Sequence, residues 1–143
     1  MDAMMISASA LTAERTRMNL IASNLANANT TRTPEGGPYK RKDAMFAAMP
    51  MESSFSSMLD KKSQPGARGV EVMEIMEDQN PPRLQYEPGH PDANAQGYVA
   101  YPNVNVIEEM ADMILATRTY EANVTASKAS MAMQMKALEL GSK

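Results

Sequence analysis

All nine prolines of this 143-residue chain lie between Pro34 and Pro102, and of the seven glycines only Gly141 lies outside that interval. Proline has no amide donor for a helix ladder, and its ring clashes with the preceding turn. Long helices are therefore barred from the middle of the chain and allowed at both ends. Three segments follow: an N-terminal helical segment, 1–33; a turn- and strand-rich middle, 34–102, with a variable loop at about 47–68; and a C-terminal helical segment, 103–143. The expected class is α+β, with long terminal helices packed in a coiled-coil-like layer and a small β-rich middle subdomain.

Within 3–29, Met4, Leu11, Met18 and Leu25 recur every seven residues, flanked by Ala8, Ile21 and Ala22. That spacing puts one apolar stripe on a helix. Asn27, Asn29, Thr30 and Thr31 before Pro34 form its stop signal. Asn24, Asn27 and Asn29 are expected to set the helix-to-strand transition through side-chain bonds to backbone. In the C-terminal segment Met110, Thr117, Val124, Met131 and Leu138 are also seven apart, with Ile114 and Met135 four residues on and Met113 and Tyr120 three on. Asn103 or Asn105 caps the start, Glu108, Glu109 and Asp112 suit the positive end of the helix dipole, and Gly141 supplies the stop. A helix over 104–140 is about 55 Å long. A compact globule of this size is only about 35–40 Å across. Such a helix cannot be wrapped by its own chain, so its apolar faces are expected to meet other chains.

In the middle, Gly69–Glu77, Arg83–Glu87 and Gly97–Tyr101 are candidate strands, separated by Gly36-Gly37-Pro38, Pro65-Gly66, Pro81-Pro82 and Pro88-Gly89. Residues 50–68 read as an exposed loop, and Lys40-Arg41-Lys42 as a basic run facing solvent.

Composition closes off several function classes. With no cysteine there is no disulfide framework, thiolate metal site or cysteine nucleophile. Fourteen basic against seventeen acidic side chains give a net charge of −3, without the basic surface that nucleic acid requires. No apolar run approaches the roughly 20 residues of a membrane span. A weakly apolar start without a basic leader argues against a cleaved signal. The lone His90, beside Glu87 and Asp92, could in principle act as a base or ligand, and Glu71, Glu74 and Glu77 as an acid–base set. A metal site needs convergent ligands, though, and none are spaced for one. No catalytic, metal or cofactor residues are expected.

The run Ser23-Asn24-Leu25-Ala26-Asn27-Ala28-Asn29-Thr30 resembles the end of the first helix in the bacterial flagellar axial proteins. Gly36-Gly37-Pro38-Tyr39-Lys40-Arg41-Lys42, Tyr86-Glu87-Pro88-Gly89-His90-Pro91, Gly97-Tyr98-Val99 and Pro102-Asn103-Val104-Asn105-Val106 narrow the resemblance to the proximal rod members of that family. Glu109-Met110 and Arg118 through Val124 fit the same pattern. His90 stands where the family commonly has a small polar residue, and 47–68 follow no family pattern. The resemblance implies a structural, torque-transmitting rod subunit of the basal body, exported through the flagellar type III pathway without a cleaved signal. Its implied partners are itself, other rod subunits, motor-ring and rod-base proteins and the export machinery. The residues expected to carry assembly are Leu11, Met18, Ile21, Leu25, Met110, Ile114, Val124, Met131 and Leu138, with the N-terminal helix and the last turns of the C-terminal one expected to order on assembly. The competing functions are a periplasmic cell-wall hydrolase using Glu71, Glu77 and His90, and a cytoplasmic helical adaptor or export chaperone.

Overall fold

A computed structural model describes residues 2–50 and 68–141. Two long helices enclose four strands in chain order: α1 (Asp2–Ala26), β1 (Lys42–Pro50), β2 (Arg68–Glu77), β3 (Arg83–Tyr86), β4 (Tyr98–Tyr101) and α2 (Val106–Gly141). The α+β class and the long terminal helices are as expected.

Helix α1 is rich in Ala, Met and Leu, and the hydroxyls of Ser9, Thr12 and Thr16 donate back to carbonyls three or four residues earlier, which removes their competition with the ladder. It ends as its sequence indicated. Asn27 Nδ2 donates to the Ser23 carbonyl, and Thr30 Oγ1 donates to Asn27 Oδ1. The chain then reverses through Gly36 and Gly37, both at positive φ (89° and 82°), where only glycine is unstrained.

Helix α2 is an unbroken run of 36 residues, about 54 Å long. Asn105 Oδ1 accepts from the Ile107 amide and caps its start; Asn103 instead donates to Asp78, and the helix runs through Gly141. The pairs Asn24–Glu109, Arg17–Asp112 and Met18–Thr117 show that α1 and α2 pack antiparallel. The α2 residues that lose exposure centre on the row Glu109, Ala116, Asn123 and Ser130, with Met113, Tyr120 and Ser127 on one side, Asp112 and Thr119 on the other, and Val124 at the margin. This seam lies to one side of the expected row Met110, Thr117, Val124, Met131, Leu138. From 131 to 141 every residue is exposed, so α2 extends about 16 Å past its last buried residue, Ser130.

The strands form two separate antiparallel pairs. In the first, β1 pairs β2 from Lys42↔Glu77 to Pro50↔Arg68, with a bulge that leaves Met73 unpaired. Its β1 strand was not expected, since Lys42–Pro50 is rich in alanine, a weak strand former. The expected loop at 47–68 is thus cut back at both ends: 47–50 belong to β1 and Arg68 to β2, while Met51, Phe55, Lys61 and Lys62 lie outside the described residues. This pair packs on α1, where Ser9 Oγ accepts the Val70 amide. In the second pair, Arg83↔Tyr101 to Tyr86↔Tyr98 are in register, and the Tyr86 and Tyr98 rings meet edge-on at 5.3 Å.

Gly97 makes that second pair possible. It sits at φ 85°, and a Cβ there would lie 2.8 Å from Tyr86 Cε2 and 3.3 Å from Pro88 Cβ. Gly97→Ala is expected to cost about 2–3 kcal/mol, from left-handed strain and the ring it displaces. Loss of near-UV tyrosine dichroism, with far-UV helix signal retained, checks it.

Buried apolar residues are few and small: Ala13 and Ile21 in α1, Ala28 after it, Val99 in β4, Val104 before α2 and Ala116 within it. So thin a core leaves most of the large apolar side chains of α2 exposed, while those of α1 other than Met5 are half-buried or buried.

Candidate assembly surface

The end of α1, the start of β1 and the start of α2 converge on one polar cluster. Its centre is Asn24, 1% exposed, whose amide makes four hydrogen bonds. Oδ1 accepts from the Lys42 amide and the Tyr39 hydroxyl, each at 2.9 Å. Nδ2 donates to the Lys42 carbonyl at 2.9 Å and to Glu109 Oε2 at 3.0 Å. The side chain thus pairs with the Lys42 backbone as a neighbouring strand would, and its donor and acceptor capacity is used in full.

Glu109 is also 1% exposed, and its other oxygen accepts from Arg41 Nε at 2.6 Å. Burial alone lowers the Arg41 pKa; the hydrogen bond and charge of Glu109, with a smaller contribution from Asp43, outweigh it, so the pKa is raised. A carboxylate is almost never buried without such partners. Removing the guanidinium would leave it unpaired, at a cost of about 3–5 kcal/mol. Arg41 is therefore not a solvent-facing member of a basic run. Neither is Lys42, whose backbone holds Asn24 and whose ammonium lies 3.5 Å from Glu77. Sequence reasoning placed Glu109 only as a favourable charge at a helix start and Arg41 only as a solvent-facing base, and did not connect the two.

The residues expected to carry assembly fall into two groups. Leu11, Met18 and Leu25 are half-buried and Ile21 is buried, all on α1. On α2, Met110, Ile114, Met131 and Leu138 are 55%, 64%, 52% and 74% exposed, and Val124 is half-buried at the margin of the seam. Helix α2 buries only Glu109, Ala116 and Ser130 against its own chain, with Met113, Tyr120 and Val124 half-buried, and turns most of its large apolar side chains outward, unlike a surface helix in a self-contained globule. Of the motif residues, Asn24 and Pro102 are buried, Leu25, Asn27, Thr30 and Glu87 half-buried, and Ala26, Pro88, Gly89 and Asn103 exposed.

The residues weighed for chemistry are scattered. Glu87 accepts from the Tyr101 hydroxyl and from Gln85, and the Tyr101 pKa is raised, chiefly by that hydrogen bond. His90 Nδ1 accepts the Asp92 amide within the turn. Glu77 is taken up by Lys42, and Glu71 lines a groove of about 450 Å³ between α1 and β2. Among the described residues no three His, Asp or Glu side chains group to hold a metal, and no helix is long and apolar enough to cross a membrane.

Comparison with known proteins bears on the same regions. Residues 4–32 match the family model of the flagella basal body rod protein, and 95–140 that of the flagellar basal body rod FlgEFG protein C-terminal region. The chain is 49% identical to the flagellar basal-body rod protein FlgC of Bacillus subtilis, over 95% of this chain and 94% of the relative. It is 40% identical to FlgC of Borreliella burgdorferi, over 94% and 93%, and 42% identical to FlgC of Escherichia coli O6:H1, over 95% and 93%. With both matched regions falling on the helices that meet at Asn24 and Glu109, and with similarity along nearly the whole length, this chain belongs to the FlgC family of flagellar basal-body rod proteins.

Proposed function

We propose that this chain is a non-catalytic structural subunit of the basal-body rod that assembles through its terminal segments, 1–33 and 103–143, while 34–102 form the outer part. The observation that carries it is the outward apolar face of α2, continued by an exposed end bearing Met131, Met133, Met135, Leu138 and Leu140. A face of that extent marks an interaction surface. Contacts joining one face to a different face of the next subunit do not close into a dimer; they propagate as a helical tube.

In this reading the neighbours are further copies, other rod subunits and the proteins at the rod base, and the site of assembly is the periplasm, reached through flagellar export without a cleaved leader. A chain with no cysteine suits passage from a reducing to an oxidising compartment. The hydrolase alternative would need Glu71, Glu77 and His90 to share a cleft, but Glu77 is paired with Lys42 at the far end of β2 from Glu71, and His90 accepts the Asp92 amide in the turn after β3.

Purified basal bodies test the proposal. The chain is expected as a stoichiometric rod component, and a deletion strain is expected to lack rods by electron microscopy and to be non-motile. Intact rods in that strain, or the chain confined to the soluble cytoplasm, would reject it.

A further inference from the structure

Where two helices meet along a seven-residue repeat, adjacent rows of side chains lie about 50° apart around each axis. The present seam of α2 centres on the row Glu109, Ala116, Asn123, Ser130, flanked by Asp112 and Thr119 on one side and by Met113, Tyr120 and Ser127 on the other. Beyond Met113, Tyr120 and Ser127, at the margin of the seam, lie Met110, Thr117, Val124 and Met131. Turning α2 by about 50° would bring Met113, Tyr120 and Ser127 to the centre of the seam, draw Met110, Thr117, Val124 and Met131 in from its margin, and withdraw Asp112 and Thr119. Thr117 would bring no unmet donor, because its hydroxyl already bonds the Met113 carbonyl. Burial of apolar surface by itself favours the turned setting.

What opposes the turn is chiefly the buried Glu109, with the half-buried Asp112 adding longer contacts of 3.9 Å to Arg17 and 4.0 Å to Arg41. The two oxygens of Glu109 are held by Arg41 and Asn24, and Asn24 is itself fixed to the Lys42 backbone, so both partners stand on elements other than α2. Rotation would draw the carboxylate away from both. Buried ion pairs add little net stability compared with apolar packing, but they are directional, and single polar groups in helix seams are known to fix register.

We propose that Glu109, Arg41 and Asn24 form a rotational lock on α2, holding the row Met110, Thr117, Val124 and Met131 at the outer margin of the α1–α2 seam, with Met110 and Met131 more than half exposed and available to neighbouring subunits. Its last clause rests on the assembly function proposed above; the lock itself does not.

The absence of cysteine makes single-thiol probes unambiguous. In the otherwise native chain, Thr117→Cys is expected to react with a maleimide at least about tenfold faster than Ala116→Cys, because residue 116 is reached only through local opening. In an Arg41→Met, Glu109→Leu background of unchanged helix content the order is expected to invert, and likewise for Ser130→Cys against Met131→Cys. An unchanged order overturns the lock. Fast reaction at both sites also overturns it, since the cluster would then merely hold the helices together. Should the double variant fail to fold, Glu109→Gln, which retains the shape, is expected to narrow the 117-to-116 ratio; an unchanged ratio overturns the proposal. These rates are read on the isolated chain, so they stand apart from any failure of the assembly function.

Discussion

Asn24→Asp is expected to lower the stability of the isolated chain by about 4 kcal/mol at neutral pH, whereas Asn29→Asp, at an exposed site one turn on, stays within about 0.5 kcal/mol. The substitution changes one amide group into a carboxyl, yet it touches every bond of the cluster. An ionised carboxylate cannot donate to the Lys42 carbonyl or to Glu109, and it would stand where the amide nitrogen is now 3.0 Å from Glu109 Oε2. Two buried like charges at that separation cannot both persist. Burial and the neighbouring charge raise the introduced carboxyl's pKa above its unfolded value, so its protonated form is the one the fold tolerates. The loss is therefore smallest below the unfolded pKa and grows as pH rises through the folded one. Urea midpoints at acidic and neutral pH check both magnitude and sign. Against a total stability of about 5–15 kcal/mol for an ordinary domain, such a loss leaves little margin.

Legibility in the sequence followed the range of the interactions. The long C-terminal helix was readable because Met110 to Leu138 repeat every seven residues with no proline, and the end of α1 because Asn27 and Thr30 act on groups three or four residues away. The Asn24–Glu109–Arg41 cluster spans 85 residues, and no local pattern announces it. Strand β1 was missed because its alanines carry little strand preference, and its register comes from pairing with β2. The intramolecular seam of α2 was not legible for a different reason. An apolar row identifies which side of a helix avoids water, but not whether its own chain or another covers it. Here the own chain takes the row containing Glu109, Ala116 and Ser130. Likewise the motif residues located the family without showing that Asn24 is a four-bond hub while Ala26 and Asn103 face solvent.

Ile114→Asp and Leu138→Asp should each abolish incorporation into the rod while leaving the isolated fold intact. Both side chains are more than half exposed, so in the free chain the carboxylate stays hydrated and the unfolding midpoint should not move. Once a neighbour covers the position, the same charge is stripped of water without a partner. A penalty of about 4 kcal/mol then weakens that contact about a thousandfold, and it recurs at every subunit added. Leu25→Asp is less discriminating, because Leu25 is half-buried and the change would also strain the fold. Gln96→Asp, on an exposed turn of the middle region, is the control expected to assemble normally. The pair of measurements is equilibrium unfolding of the isolated variant and recovery of rods from cells that carry it. Swimming and intact rods with either α2 variant would remove the outward face of that helix from the assembly. Loss of rods together with loss of fold would instead place Ile114 or Leu138 in the subunit's own core, where their exposure says they are not.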